Sequence, residues 1–178
     1  MTQDTQIVLP FARLCGKDLQ ADFDGGTLSS DGGVLFFREI EAQVGLISRM
    51  AGALHDPRDP RYIDHSYEEL LRQRIFQIAS GYEDANDCNP LRHDPAFRAA
   101  CGRLPISDDP LASQPSISRF ENTPRRSELY RTAQALFDTF AASYARAPTC
   151  LLLDIDDTAD EMDGDQQKSR FDGYYHSY

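Results

Sequence analysis

Five carboxylates lie within eight residues near the end of the sequence: Asp154, Asp156, Asp157, Asp160 and Glu161. They follow directly on an apolar run, residues 149–155, that predicts a buried strand. Because successive strand side chains alternate between faces, Asp154 and Asp156 would share one face and Asp157 would lie on the other. Crowded carboxylates repel each other unless a cation neutralises them, and hard divalent ions such as Mg²⁺ prefer oxygen ligands. The pattern therefore indicates a metal-binding carboxylate at the end of a strand.

The same acidic cluster also has a purely structural interpretation. Asp156 or Asp157 could cap a following turn, and Asp160 and Glu161 could lie near a helix N-terminus, where carboxylates are favoured. The rest of the cluster would then be a solvated acidic loop. The residue types alone leave both interpretations open.

Three known motifs compete for residues 151–160. Asp154, Asp156 and Thr158 match the DxDxT motif of haloacid-dehalogenase-type phosphatases, in which the first aspartate attacks phosphate and the second is the acid/base. That motif is expected near an N-terminus and needs a lysine and further aspartates on later strands. Residues 154–157 also spell the DxDD of some terpene cyclases, but the sequence does not predict their helical barrel. The third motif is the first aspartate of a ribonuclease-H-like transposase core, an apolar strand followed by D-[STDG]-T, which Asp156-Asp157-Thr158 fits.

Most of the preceding sequence has a helical pattern. Ser66 and Glu69 form a capping box at the start of a helix that Gly81 would stop. A second long helix is predicted over residues 127–144, where apolar residues recur at helical spacing. Shorter helical segments are predicted from about 34 to 47, with Ser30 or Asp31 as N-cap, and at 95–101 and 116–120. Pro148 ends this region, so we place a domain boundary near residue 147.

Composition permits one or two globular domains. The 178 residues are 40% apolar, and no stretch approaches the roughly 18–20 apolar residues of a membrane span. The N-terminus carries no positive charge and its apolar run breaks at Pro10, so no secretory signal is expected. The four scattered cysteines form no CxxC pair and predict neither zinc nor a disulfide framework. We therefore expect a cytoplasmic protein without a membrane partner.

The charge distribution leaves DNA binding open. The net charge of −11 argues against generic nucleic-acid binding. However, residues 148–178 hold eight acidic and two basic residues, a net of −6, and the first 147 residues carry only the remaining −5. Sixteen of the 18 basic residues are arginine, whose planar guanidinium suits bidentate contacts with phosphate.

An ordered set of short segments resembles the 1380 family of insertion-sequence transposases of the DDE type. The segments run from about residue 20 to the C-terminus, and each is weak alone while the ordered set is specific. They are GTLSSDGG (26–33), GYEDAND (81–87), LRHDPAF (91–97), SQPSISRFEN (113–122), LDIDDT (153–158) and GDQ (164–166). The resemblance favours the transposase motif among the three alternatives.

The resemblance implies an α+β fold and a catalytic residue. Residues 1–147 would form a mostly helical N-terminal domain, and 148–178 would begin an incomplete ribonuclease-H-like α/β core. Asp156 would be the first catalytic aspartate and a ligand of Mg²⁺ or Mn²⁺. Asp157 departs from the small residue usual in the family, so Asp154 remains a second candidate ligand. The family's other catalytic aspartate and its glutamate lie downstream without a counterpart here, so we do not expect this chain alone to bind the ions stably.

The implied function is cut-and-paste DNA transposition, by a chain that is inactive without the later carboxylates. An alternative is a non-catalytic DNA-binding or dimerisation fragment that modulates an intact transposase; a phosphatase-like protein is a third. The expected partners are DNA, namely the terminal inverted repeats of the element, and a further copy of the chain. The candidate DNA contacts are Ser116, Ser118, Arg119, Arg125 and Arg126, at a helix N-terminus and close by. The competing interpretation is that Ser116 caps a helix and the arginines are ordinary surface residues.

Overall fold

The computed structural model describes residues 11–19, 29–105 and 107–154. Short 3₁₀ helices lie at Pro60–Tyr62 and Ala85–Asp87, and the described ranges contain no β-strand, only an isolated bridge between Leu14 and Lys17. The mostly helical character predicted from the sequence is confirmed. The α-helices in these ranges are α1 (Val34–Val44), α2 (Leu46–Gly52), α3 (Tyr67–Ala79), α4 (Cys88–Leu91), α5 (Pro95–Ala100), α6 (Gln114–Glu121) and α7 (Arg126–Ala142).

The chain divides into two compact units, Met1–Ser143 and Tyr144–Tyr178. All the helices named above belong to the first unit. The domain boundary near residue 147 and the functions assigned to the two parts stay predictions. None of the described helices combines the length and apolar character that crossing a bilayer requires.

The first unit is built around α3. Its capping box is formed as predicted: the Glu69 N–H donates to Ser66 Oγ (3.2 Å), and the Ser66 N–H donates to Glu69 Oε2 (2.8 Å). The helix ends before Gly81, whose φ of 88° lies in the left-handed region that favours glycine. One apolar cluster, which includes Phe76 and Phe97, packs against α3, and a second includes Leu70 and Ile117. The helix therefore contributes to both cores.

The start of α1 differs from the sequence prediction. Gly33 occupies the N-cap position without a side-chain cap, so the expected capping by Ser30 or Asp31 is wrong. The Asp31 carboxylate instead accepts a hydrogen bond from the Tyr82 hydroxyl at 2.9 Å. The apolar pattern expected to run to Ile47 is interrupted by Gly45, whose φ is 65°, and α2 begins after it. Asp31 was misassigned as the helix cap because its carboxylate binds Tyr82, a partner 51 residues away.

The strand predicted over residues 149–155 is not seen in its described part. Residues 149–154 have no regular secondary structure. Leu151, Leu152 and Leu153 are 51, 95 and 80% exposed, so the predicted burial is wrong for these side chains. An isolated strand cannot satisfy its backbone hydrogen bonds, and the described ranges contain no strand with which it could pair. Residue 155 and the rest of the acidic cluster lie outside the described residues.

Candidate nucleic-acid interface

The helix α6 carries three of the five predicted DNA contacts and is held by a buried amide of α3. Gln73, only 2% exposed, donates from Nε2 to the Ala112 carbonyl and accepts from the Ala112 N–H through Oε1, both at 2.9 Å. These two bonds fix the segment that leads into α6. Ile117 and Phe120 then pack into the second core, where the Phe120 ring meets Tyr67 edge-on with centroids 5.0 Å apart.

Burial of Ile117 and Phe120 leaves the predicted polar residues of α6 towards the surface. Arg119 is exposed, and its Nη2 donates to Ser116 Oγ at 3.2 Å. The Ser118 hydroxyl has no hydrogen-bond partner among the described residues. Ser113, not Ser116, occupies the N-cap position, so the interpretation of Ser116 as the cap of this helix is wrong. The structure thus brings Ser116 and Arg119 together at one place on the surface.

The turn between α6 and α7 presents the other two predicted contacts. Arg125 is the N-cap residue of α7 and Arg126 its first residue, and both are exposed. The nearby carboxylate of Glu128 accepts from the backbone N–H groups of Arg125 and His55, each at 2.8 Å. These two backbone hydrogen bonds lower the pKa of Glu128. The one acidic side chain in the first turn of α7 is therefore engaged by the backbone.

Most arginines in the described ranges form ion pairs, but the three arginines among the predicted DNA contacts do not. Arg72 forms an ion pair with Glu68 and Arg74 forms one with Glu121, both at 2.6 Å. Within the described residues no carboxylate lies within 4 Å of the guanidinium groups of Arg119, Arg125 or Arg126. The arginines that do form ion pairs are Arg13, Arg38, Arg58, Arg61, Arg72, Arg74, Arg103 and Arg131.

A pocket of about 230 Å³ opens beside Ser116 and Arg119 and is also lined by Arg58, Tyr67 and Thr123. The Arg58 guanidinium lies 4.7 Å from the centre of the Tyr67 ring. It also donates to both carboxylate oxygens of the nearby Asp56, which raises the pKa of Arg58. Arg58 and Thr123 were missed from the sequence. Around Arg58 the sequence shows only the Asp-Pro-Arg-Asp-Pro segment at 56–60, which predicts an interruption of helical structure. This pattern does not indicate which distant residues Arg58 contacts.

The comparison with known protein families decides the classification. Residues 11–178 match the model of the transposase DDE domain, group 1. The chain belongs to this transposase family. No curated protein and no solved structure matches it. Transposases of this type act on DNA and generally depend on divalent metal ions, so the family implies DNA as a partner of the chain.

The described part of this transposase does not fit a divalent metal ion. Asp154 is exposed and lies in an irregular segment, and Asp156 lies outside the described residues. Within the described ranges, no group of three or more histidine, cysteine, aspartate or glutamate side chains could hold a metal. A lone exposed carboxylate is a weak ligand for Mg²⁺. No catalytic step through a metal follows from these residues.

Proposed function

We propose that the chain acts in cut-and-paste DNA transposition as a member of the 1380 family of insertion-sequence transposases. The observation that carries this proposal is the family match over residues 11–178. The finer assignment to the 1380 family is supported by six short segments in the family's order, from GTLSSDGG at 26–33 to GDQ at 164–166.

The helical unit binds the terminal inverted repeats of the element through its α6–α7 surface. Arg119, Arg125 and Arg126 approach phosphates, because a guanidinium without a carboxylate partner can make charge-assisted hydrogen bonds to phosphate oxygens. The Ser116 and Ser118 hydroxyls add neutral contacts to the same strand. Contacts of this kind fix register on the duplex and contribute affinity that is largely independent of sequence.

Asp156 is the first catalytic carboxylate and metal ligand in this proposal. Its support is the Asp156-Asp157-Thr158 motif after an apolar run, within a chain of the transposase family. Asp154 is the second candidate. In an intact transposase that contains this segment, Asp156→Asn will abolish strand cleavage, whereas Asp154→Asn will leave it measurable. The reverse result would assign the role to Asp154.

Gel retardation with the element's terminal inverted repeat tests DNA binding by the 178-residue chain. We expect a retarded complex that competitor DNA of shuffled sequence displaces less well than the inverted repeat itself. Because phosphate contacts release counterions, raising salt from about 50 to 200 mM will weaken the complex by an order of magnitude or more. Absence of retardation at the lower salt concentration would contradict the DNA-binding role.

The chain alone will not cleave or join DNA strands. A two-metal site needs several carboxylates to hold ions about 3.5–4 Å apart, and this proposal assigns only Asp156, with Asp154 as the alternative, to such a site. Incubation of the purified chain with inverted-repeat DNA and Mg²⁺ or Mn²⁺ will therefore yield no nicked product on a denaturing gel. A nick that Asp156→Asn removes would overturn this expectation.

A second candidate function is a non-catalytic DNA-binding regulator of an intact transposase. It is favoured by Arg119, Arg125 and Arg126, whose exposed side chains form no ion pair with the described residues. A chain that occupies the inverted repeats without cutting them would compete with the intact enzyme. Addition of the 178-residue chain to a transposition reaction of the intact enzyme distinguishes the two functions. Inhibition that disappears when Arg119, Arg125 and Arg126 are replaced by alanine would support the regulator.

A further inference from the structure

The helix α7 packs a mostly polar side against α2 and exposes its large apolar residues. The side facing α2 carries Glu128, Thr132, Ala135 and Thr139, which are buried or partly buried. It is joined to α2 and the following residue by hydrogen bonds from Arg49 Nη1 to Thr139 Oγ1 (3.1 Å) and from Arg131 Nη2 to the Ala53 carbonyl (3.0 Å). A helix on the surface of a monomer normally has the opposite arrangement.

The outward apolar stripe of α7 consists of Leu129, Tyr130, Ala133, Leu136 and Phe137. At 100° per residue these five positions fall within an arc of about 120° on one side of the helix. The four large side chains are 55, 73, 55 and 62% exposed, respectively. Such a contiguous exposed apolar surface marks an interaction site.

We propose that this stripe is the contact surface for a second copy of the same chain, with the two α7 helices antiparallel. A twofold axis brings identical patches together, so the patch must be complementary to itself. The stripe meets this condition about Ala133. Leu129 and Phe137 lie equally far from it on either side, as do Tyr130 and Leu136. Across the axis, Leu129 of one copy therefore meets Phe137 of the other, and Ala133, having a small side chain, lets the helices approach closely.

The exposed area is sufficient for a weak but specific dimer. With roughly 200 Å² for a large aromatic side chain, the four large residues present on the order of 500 Å² in each copy. A twofold pair would bury about 1,000 Å² from these residues alone, which reaches the lower limit for a specific interface.

Charge favours the antiparallel orientation. Arg125 and Arg126 lie at the N-terminal end of α7, where the helix dipole adds positive potential. A parallel pair would bring four arginines and two positive dipole ends together. An antiparallel pair separates the arginines and aligns the dipoles in opposite directions, so only this orientation avoids the repulsion.

Sedimentation equilibrium of the 178-residue chain and two double variants tests both the surface and the orientation. Leu129→Glu with Phe137→Glu places like charges opposite each other, whereas Leu129→Lys with Phe137→Glu places opposite charges together only in the antiparallel pair. We expect the parent to dimerise. We expect the Glu/Glu variant to dissociate at least tenfold more readily than the Lys/Glu variant. Because these positions are exposed, circular dichroism should show the helical content unchanged in all three proteins.

Ile40→Glu is the matched control, since Ile40 is a 54% exposed apolar residue on α1. This variant should dimerise like the parent. A parent that remains monomeric up to about 100 µM would overturn the proposal. So would dissociation caused by Ile40→Glu but not by the α7 substitutions. Equal weakening of the Glu/Glu and Lys/Glu variants would exclude the antiparallel pair. Sedimentation is measured without DNA, so failure of the dimer proposal and failure of the proposed DNA binding can be distinguished.

Discussion

Simultaneous replacement of Arg119, Arg125 and Arg126 by alanine is expected to weaken binding to inverted-repeat DNA by about 100- to 1,000-fold. A hydrogen bond to a charged group contributes about 1.5 kcal/mol or more, which corresponds to roughly tenfold for each arginine. The three guanidinium groups have no carboxylate within 4 Å among the described residues, so their charges are available to phosphates. Fluorescence anisotropy with a labelled duplex measures the change.

The salt dependence of the same titration identifies what the arginines contact. Each phosphate contact contributes about −0.9 to the slope of log K against log salt concentration on duplex DNA. Loss of three contacts should therefore reduce the magnitude of the slope by about 2 to 3. An affinity loss without a change of slope would mean that the arginines act through the fold and do not touch the backbone of the DNA.

A second triple variant controls for net charge. Arg13, Arg61 and Arg72 pair with Asp18, Asp59 and Glu68 at 2.9, 2.6 and 2.6 Å. Their replacement by alanine changes the net charge by the same amount, but their charges are already compensated locally. We expect less than about a threefold loss of affinity, because exposed ion pairs contribute little. Equal losses in the two triple variants would show that overall charge, and not the α6–α7 surface, governs binding.

Local patterns in the sequence predicted local structure well. The capping box of Ser66 and Glu69 is formed entirely by residues three apart, so the sequence contains all the information that it needs. The long helix expected over residues 127–144 is found at Arg126–Ala142 for the same reason. The apolar run at 149–154 fails as a buried strand because burial depends on distant partners, and an apolar sequence does not show whether those partners exist.

The features of the candidate interface that depend on distant residues could not be predicted. Arg125 and Arg126 were predicted contacts because they lie close in sequence to residues 113–122. The carboxylate of Glu128 nearby accepts from the backbone N–H of His55, 73 residues earlier, and the sequence does not show this contact. The exposure of the apolar face of α7 could not be predicted from the sequence either. Its apolar spacing predicted a helix, but the spacing does not show that α2 packs on the other side of that helix, through Thr139 and its neighbours.

Replacement of Gln73 by leucine is expected to cause a large loss of stability. Gln73 lies between two arginines on α3 and resembles a surface residue in the sequence. Its amide forms both hydrogen bonds of the Ala112 backbone group, at 2.9 Å each, in a site where Gln73 and Ala112 are 2 and 1% exposed. Gln73→Leu keeps the approximate shape but removes both partners. The buried Ala112 N–H and carbonyl would then be unsatisfied, because neither has another partner among the described residues. We expect a loss of about 2–4 kcal/mol in the free energy of unfolding, measured by urea denaturation.

Gln134→Leu is the matched control, because Gln134 is exposed on α7 and bonds only to Asp138, four residues away. A surface substitution of this kind should change the free energy of unfolding by no more than about 0.5 kcal/mol. Since the Gln73–Ala112 bonds fix the entry to α6, Gln73→Leu should also weaken DNA binding at temperatures where the protein remains folded, by displacing Ser116 and Arg119. If the free energy of unfolding of Gln73→Leu were close to that of Gln134→Leu, water would be replacing the Gln73 amide as the hydrogen-bond partner of Ala112. Undiminished DNA affinity in the folded variant would mean that the packing of Ile117 and Phe120 positions α6 without it.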